Sequence, residues 1–573
     1  MISLPTNPHK NEGYLMDSIP SILQSIIETH MLTLLYWFSE ELYRRLWRQA
    51  EGHFLVRLCE QMDWKALEAA CAGYHHTSGP GAPPTHTVAR LVRALVVKYL
   101  FDLSLREWEH ELRWNLLVKR FVGYAAFEAG PDHATLERFE LWVSEHQSRT
   151  YFDQVLLQID RDFPAERHKP QIADTYALRA NAATETVIGL IRHTMQRLLA
   201  TLQEIDADSL AQIRGQLDQE ALFGADAELK EFRLAQAERN QRLQTTVIAA
   251  VQGAELIRSW LQTRRGLSES QRQAVKLWLE SLDKIITDEV SLTRNEQGQI
   301  VGVQELPKKQ KGSYRIASAT DLEATFRVHG EKIDFGYNVS VAATDTFIRE
   351  IQADTGSQPD PVAIPDLLKA QQQHHDLLPP KLIYDQAAGT GKHHADVAKA
   401  SGGQTQLVAP LIPYQERSQR FGPDDFTLST LGTALTCPHG RVSTTAYRSQ
   451  SGQGRTFRFS AEQCRSCPLV QQCRGDEVPP DNMRQTFVSD HRSVLAQART
   501  YAQTDAFQQD MKARATIERL IANLVRYHGA RYARRRGQRL CDFQVKMNAM
   551  AFNIRQWMRA LDRRSPAKAA AQT

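Results

Sequence analysis

The stretch Lys512–Arg539 reads KARATIERLIANLVRYHGARYARRRGQR and holds one carboxylate, Glu518, among many arginines. Apolar residues recur at helical spacing through its first half, which predicts a helix that carries Glu518. A lone carboxylate among arginines is often only a solvated ion-pair partner. Two aspartates far upstream, Asp174 and Asp385, favour a catalytic interpretation instead.

Each of these aspartates belongs to a predicted strand. Asp174 lies in a segment that reads as a short strand running into small and polar residues, and Asp385 directly follows the apolar run Leu382–Tyr384 and precedes a glycine-containing turn. An acid at the end of a core strand is well placed to meet a ligand. Two such acids and a helical glutamate can hold two divalent cations, which activate a hydroxyl nucleophile and stabilise the leaving oxygen in phosphodiester transfer.

The order Asp174, Asp385, Glu518 resembles the DDE triad of bacterial insertion-sequence transposases, which have a ribonuclease-H-like core. Other segments resemble that family's motifs: Asp174-Thr175 with Ala180-Asn181-Ala182, Gly336-Tyr337-Asn338, Arg514-x3-Glu518, the basic turn Arg531–Gly537, and Gly130–Leu136 within the helical stretch Leu91–Phe139. The chain departs from the family at Met511, where a tyrosine is usual, and at Val525, where the basic residue, Arg526, comes one place later. These departures concern contacts near the cleaved phosphate, not the triad.

The resemblance implies a function and a set of site residues. The triad would bind two Mg²⁺ or Mn²⁺ ions, and Arg514 would orient Glu518 or the scissile phosphate. The protein would bind the terminal inverted repeats as a homodimer, cleave the strand ends and join them to target DNA. The residues expected to contact DNA are Asn181, Asn338, Lys392, Arg526, Arg531, Arg534, Arg535, Arg536 and Arg539. The alternatives are a metal-dependent nuclease without strand transfer and a catalytically silent DNA-binding repressor.

The predicted fold class is α/β, a ribonuclease-H-like mixed sheet with helical and cysteine-bearing additions. The expected parts are a helical DNA-binding region (1–165), the catalytic core (166–183, 300–400 and 485–560), a helical insertion (184–299), a β-rich cysteine-bearing insertion (401–484) and a basic tail (561–573). A helix–turn–helix-like pair, with its second helix capped by Ser104–Glu107, is expected in the first part. The loop Ser78–Pro84 marks a predicted subdomain boundary.

Charge is distributed unevenly along the chain. The formal net charge is +4 over 573 residues, but the segment from Lys512 onward carries +12 and the remainder about −8. Such segregation suits a phosphate-binding face, although a solubilising basic tail is the plain alternative. The early apolar stretch Ile19–Phe38 is interrupted by polar residues and lacks signal-peptide features, so no membrane association and a bacterial cytoplasmic location, on the nucleoid when bound to DNA, are expected.

Two further motifs resemble known kinds of ligand-binding site. The loop Gly389–His394 resembles a phosphate-binding loop but lacks the required glycine at Gln386 and the Ser/Thr at His393, so no nucleotide cofactor is predicted, and Lys392 is a DNA-backbone contact or an ordinary surface residue. Four of the seven cysteines cluster late in the chain, at Cys437, Cys464, Cys467 and Cys473. They favour a structural Zn²⁺ site, with buried free thiols or a redox pair as the alternative.

Overall fold

The computed structural model describes residues 21–75, 84–224, 233–411, 420–450, 452–474 and 483–564. Most of the predicted boundary loop Ser78–Pro84 and the greater part of the predicted basic tail therefore lie outside the described residues. The chain forms two compact units, Met1–Gln158 with Met550–Thr573, and Ile159–Ala549. Among the described helices, none has the length and apolar character that crossing a membrane requires.

The first unit is helical. Its helices are α1 (Ser21–Gln49), α2 (Phe54–Gln61), α3 (Lys65–Ala70), α4 (Val88–Leu100), α5 (Leu105–Trp114), α6 (Leu116–Val122), α7 (His133–His146) and the first part of α8 (Thr150–Asp162). The predicted cap of α5 is confirmed: Ser104 accepts a hydrogen bond from the Glu107 backbone, and Glu107 accepts one from the Ser104 backbone. In the core, Lys98 of α4 pairs with Glu140 of α7, and both side chains are almost completely buried.

The first strand of the second unit is β1 (Gln171–Arg179), which is followed by a helical insertion. The predicted change from strand to helix after Ala183 is confirmed by α9 (Val187–Ile205), α10 (Ala207–Arg214), α11 (Gln219–Phe223), α12 (Gln236–Thr263) and α13 (Glu269–Glu289). The stripes of apolar residues on α9, α12 and α13 pack into one buried cluster. A hairpin of β2 (Val290–Arg294) and β3 (Ile300–Glu305) closes the insertion.

The main sheet adds five strands to β1. They are β4 (Thr325–His329), β5 (Lys332–Ala343), β6 (Ile348–Thr355), β7 (Lys381–Ile383) and β8 (Gln406–Val408), with α14 (Ile364–His375) between β6 and β7 and α15 (Gly391–Ala400) between β7 and β8. β5 runs antiparallel to β1, β4 and β6, whereas β1, β7 and β8 are parallel. This mixed sheet confirms the predicted α/β class and is consistent with a ribonuclease-H-like core.

The segment that follows β8 is built from very short strands. Two three-stranded sheets contain β9 (Thr427–Leu428), β10 (Leu435–Thr436), β11 (Val442–Ser443), β12 (Ala446–Arg448), β13 (Gly454–Phe459) and β14 (Arg484–Ser489). The short helices α16 (Ala461–Arg465) and α17 (Val470–Arg474) lie between β13 and β14. Among the residues described in this segment, five buried apolar residues form a small core, Phe426, Leu435, Phe457, Phe459 and Val488.

Four helices complete the chain: α18 (Arg492–Ala502), α19 (Asp505–Ala513), α20 (Ala515–Tyr527) and α21 (Gln538–Arg564). α20 is the helix predicted around Glu518, and it buries Ile517, Leu520 and Leu524. α21 continues to Arg564, so the first residues of the predicted basic tail are helical. The proposed boundaries of the catalytic core and of its two insertions remain predictions.

Candidate active site

Asp174 is the fourth of nine residues of β1, not the last residue of a short strand. The strand is longer than expected because β5 pairs with it from Ile172 to Arg179. The Thr175 backbone N–H donates to Asp174 Oδ1 at 2.8 Å. Burial raises the pKa of the Asp174 carboxyl above its usual value, the charges of Asp385 and Asp360 act in the same direction, and Arg514 opposes them.

Asp385 follows a strand, as predicted, and that strand is β7, the parallel neighbour of β1. The register pairs Ile172 with Ile383, two residues before each aspartate, and the charge of Asp385 acts on the Asp174 carboxyl. Adjacent strands lie about 4.8 Å apart, so the two carboxylates share one region of the sheet. Asp385 also caps a 3-10 turn by accepting a hydrogen bond from the Ala387 N–H at 2.9 Å.

Glu518 is linked to the first aspartate through Arg514. The guanidinium donates to Glu518 Oε1 at 2.9 Å and lies 3.9 Å from Asp174 Oδ2. α20 contacts β1, which brings the helix of Glu518 to the strand of Asp174. The Glu518 side chain is 59% exposed, so it can still turn toward a ligand.

Sequence reasoning missed Asp360 and Arg327, which lie behind this group of acids. Asp360 follows β6, and its charge adds to the effect of burial, which is the main cause of the raised pKa of the Asp174 carboxyl. Arg327 of β4 pairs with Asp360 at 3.3 Å. Neither residue belongs to a motif of the sequence. The only indication of their importance was the Gly336-Tyr337-Asn338 motif, because Asn338 bonds both of them.

The donor chemistry of Asp174, Asp385 and Glu518 suits Mg²⁺, which prefers carboxylate oxygens. Within the described ranges, however, no three Asp, Glu, His or Cys side chains are arranged so that they could hold a metal ion. Arg514 supplies the positive charge between the Asp174 and Glu518 carboxylates.

The basic segment Arg531–Arg539 is attached to the end of β1. Arg179 donates its backbone N–H to the Arg531 carbonyl at 3.0 Å, and its own carbonyl accepts from Ala533 at 2.8 Å. The Asn181 side chain donates to the Arg534 carbonyl at 3.1 Å, and Arg536 donates to the Asn181 carbonyl at 2.8 Å. Backbone bonds and side-chain bonds thus both hold the basic segment beside the strand that carries Asp174.

The remaining residues expected to contact DNA differ in their surroundings. Arg526 is exposed on α20. Lys392 is exposed at the start of α15 and forms an ion pair with Asp396. Asn338 is 2% exposed, and its amide nitrogen donates to Gln358 and Asp360, so a direct contact with DNA would require these bonds to break.

The four late cysteines line one small cavity together with Phe426 and Phe459. All seven cysteines of the chain are free, and Cys437, Cys464, Cys467 and Cys473 are half-buried. Burial raises the pKa of the Cys473 thiol, and the other three cysteines add to the effect while Arg484 opposes it. The thiols are thus close enough to influence one another.

Comparison with known protein families supplies the decisive observation. Residues 436–558 match a transposase DDE domain. This match, over about a fifth of the chain, supports an insertion-sequence DDE transposase. A second transposase domain (DUF772) matches residues 44–140, in the helical first unit. The DDE-domain match includes Glu518 and the four cysteines but neither Asp174 nor Asp385. No curated protein and no solved structure matches the chain.

Proposed function

We propose that this transposase cleaves DNA at the ends of an insertion sequence and joins the released 3′ ends to a target, with Asp174, Asp385 and Glu518 as its metal-binding triad. The observation that carries the proposal is the Arg514 guanidinium between Asp174 and Glu518, with Asp385 just beyond the strand that pairs with β1 and near enough for its charge to act on Asp174. Two bound Mg²⁺ or Mn²⁺ ions would activate the nucleophile and stabilise the leaving oxygen.

The chain's own residues prepare that site. The Thr175 N–H holds one oxygen of Asp174, and the Ala387 N–H holds one oxygen of Asp385, so each carboxylate keeps a fixed orientation. Arg514 bonds Glu518 and lies 3.9 Å from Asp174, and in the proposed reaction it would contact a phosphate oxygen. We assign Asn338 a positioning role because its amide is used inside the protein.

DNA binding falls to two parts of the chain. Arg531, Arg534, Arg535, Arg536 and Arg539 would neutralise backbone phosphates beside the triad, which supplies affinity without sequence information. The helical first unit, which contains the second transposase domain, would read the terminal repeats. Because two ends must be held together, we expect a homodimer on DNA, acting in the bacterial cytoplasm.

We also propose that the four cysteines of this cavity close around a structural Zn²⁺, starting from an arrangement that is not itself a metal site. Five buried apolar residues are a small core for six strands of two to six residues, and small scaffolds of this kind usually need a metal or disulfide staple. Zinc content should remain after EDTA dialysis of the wild type and fall in Cys467→Ser but not in Cys59→Ser. Equal zinc in both variants, or none in the wild type with intact folding, would refute this assignment.

The proposed function is tested on a DNA fragment that contains the gene with its own flanks, incubated with purified protein and Mg²⁺. We expect paired cuts at defined positions in the flanks and joining of the new 3′ ends to a second DNA, both lost in Asp174→Asn, Asp385→Asn and Glu518→Gln. Cuts without joining would identify a nuclease. Footprints without metal-dependent cuts would identify a silent DNA-binding protein.

A further inference from the structure

Arg327 lies at the junction of four segments around the proposed site. Its Nε donates to Asn338 Oδ1 at 2.9 Å, and its Nη2 donates to Thr175 Oγ1 at 2.8 Å and to both oxygens of Asp360 at 3.3 Å. Asn338 in turn donates to Asp360 Oδ1 at 2.8 Å. We call these four side chains, Thr175, Arg327, Asn338 and Asp360, the Arg327 network.

The Arg327 network reaches the first catalytic aspartate through its neighbour. Thr175 donates its backbone N–H to Asp174, and the same residue receives the Arg327 guanidinium on its hydroxyl. Side chains alternate along a strand, so Thr175 projects from the sheet face opposite Asp174. Arg327 therefore bonds β1 at Thr175, on the sheet face opposite Asp174. Thr175 is the residue whose backbone N–H orients the Asp174 carboxylate.

The Arg327 network also reaches the second aspartate. Asp360 starts a 3-10 turn, Asp360–Ala363, which contacts the turn Gln386–Ala388 directly after Asp385. Asp385 orients its carboxylate on an N–H of that second turn. A displacement of Asp360 is thus passed to the turn that holds Asp385.

The Arg327 network is largely buried, so its hydrogen bonds depend on the identity of the residue at position 327. The Arg327 side chain is 12% exposed, the Asp360 side chain 26% and Asn338 2%. Only an arginine carries a planar fork that can bond a hydroxyl, an amide and a carboxylate at once, and lysine offers a single point charge. Groups that bond a metal ligand directly, as the Thr175 N–H bonds Asp174, commonly contribute about 10- to 100-fold in metal affinity, and Arg327 acts on Asp174 through Thr175.

We propose that Arg327 is a positioning residue that keeps Asp174 and Asp385 at the separation required to share divalent cations. This inference rests on the proposed function, since it assumes that the two aspartates bind metal. It extends that function by assigning a role to residues outside the triad and outside the matched DDE domain, which begins at residue 436.

The test measures Mn²⁺ binding to the full-length protein by electron paramagnetic resonance, together with the Mg²⁺ concentration for half-maximal DNA cleavage. We expect Arg327→Met to weaken Mn²⁺ binding and raise the half-maximal Mg²⁺ concentration by about tenfold or more. Arg327→Lys should lie between Met and wild type, and binding of flank DNA in EDTA should be unchanged in both.

The matched control is Arg349 on β6, which forms a buried pair with Asp160 at 2.7 Å. Arg349→Lys should lower the unfolding temperature without changing Mn²⁺ binding. If Arg327→Met does not fold, Arg327→Lys decides the question. The proposal fails if a folded Arg327 variant binds Mn²⁺ like the wild type, or if Arg349→Lys weakens binding equally. A wild type that neither binds Mn²⁺ nor cleaves DNA overturns the proposed function itself.

Discussion

Gly336→Ala tests whether the close pairing of β5 with the end of β1 is required for the catalytic sheet. Gly336 has φ +150°, a conformation that residues with a side chain rarely adopt. A Cβ built there lies 2.2 Å from the Leu178 carbonyl oxygen and 2.6 Å from the Ala180 nitrogen. Both atoms belong to backbone and cannot rotate away, so the two segments must separate.

The expected loss of stability has two parts. The backbone conformation contributes about 1–3 kcal/mol. Forcing the segments apart adds about 1–3 kcal/mol, as for other overpacked positions. The total is therefore about 4 kcal/mol, and DNA cleavage should fall as well because β1 carries Asp174.

The matched control is Gly330→Ala in the turn between β4 and β5. Gly330 has φ +60°, and no atom lies within 4 Å of its added Cβ, so only the left-handed backbone contributes, about 1–2 kcal/mol. Urea unfolding followed by circular dichroism measures both variants. Equal stability of Gly336→Ala and Gly330→Ala would refute the steric reasoning.

Three further predictions concern charge. Lys98→Met removes the buried cation that pairs with Glu140 and should destabilise the first unit by about 3–5 kcal/mol, measured by thermal unfolding; a loss below about 1 kcal/mol would contradict this. Replacing Arg535 and Arg536 by alanine should reduce the slope of log K against log salt by about one for each phosphate that the variant no longer neutralises, measured by fluorescence anisotropy, and an unchanged slope would exclude a role for them in phosphate binding. Asp174→Asn should melt at a higher temperature than the wild type in metal-free solution at pH 7. The raised pKa means that wild-type stability falls as the pH rises through it, so the difference should vanish in acid; a lower melting temperature at pH 7 would contradict the burial argument.

Local sequence patterns predicted helices and caps well where the contacts that form them lie within one short segment. The cap at Ser104 is confirmed, and both of its hydrogen bonds are made within four residues. The helical spacing around Glu518 likewise identified α20. Each of these signals is contained in a short stretch of sequence.

Features that depend on distant pairing could not be predicted. Asp174 was expected near the end of a short strand, but pairing with β5, far downstream in the sequence, extends β1 to Arg179. The placement of Asp174 and Asp385 in one region of the sheet depends on a parallel register that no local pattern specifies. Arg327 contacts Thr175 and Asp360 only after folding, so nothing in its own neighbourhood marked it.

Burial was a second reason why the structure differs from the sequence-based predictions. Asn338 lies in a motif that suggested a DNA contact, yet its neighbours on β1 and β6 enclose it. The cysteines are a mixed case: their spacing predicted that they would meet, and they line one cavity. The metal they would bind is still a prediction.

Metal rescue tests most directly the central claim that Asp174 binds a catalytic metal ion. Asp174→Cys replaces an oxygen ligand by a thiolate, which accepts Mn²⁺ far better than Mg²⁺. We predict that the variant is inactive in Mg²⁺ and regains DNA cleavage in Mn²⁺, whereas Asp345→Cys, at an exposed carboxylate of the same unit, cleaves in either metal. Full Mg²⁺-dependent cleavage by Asp174→Cys would contradict the claim.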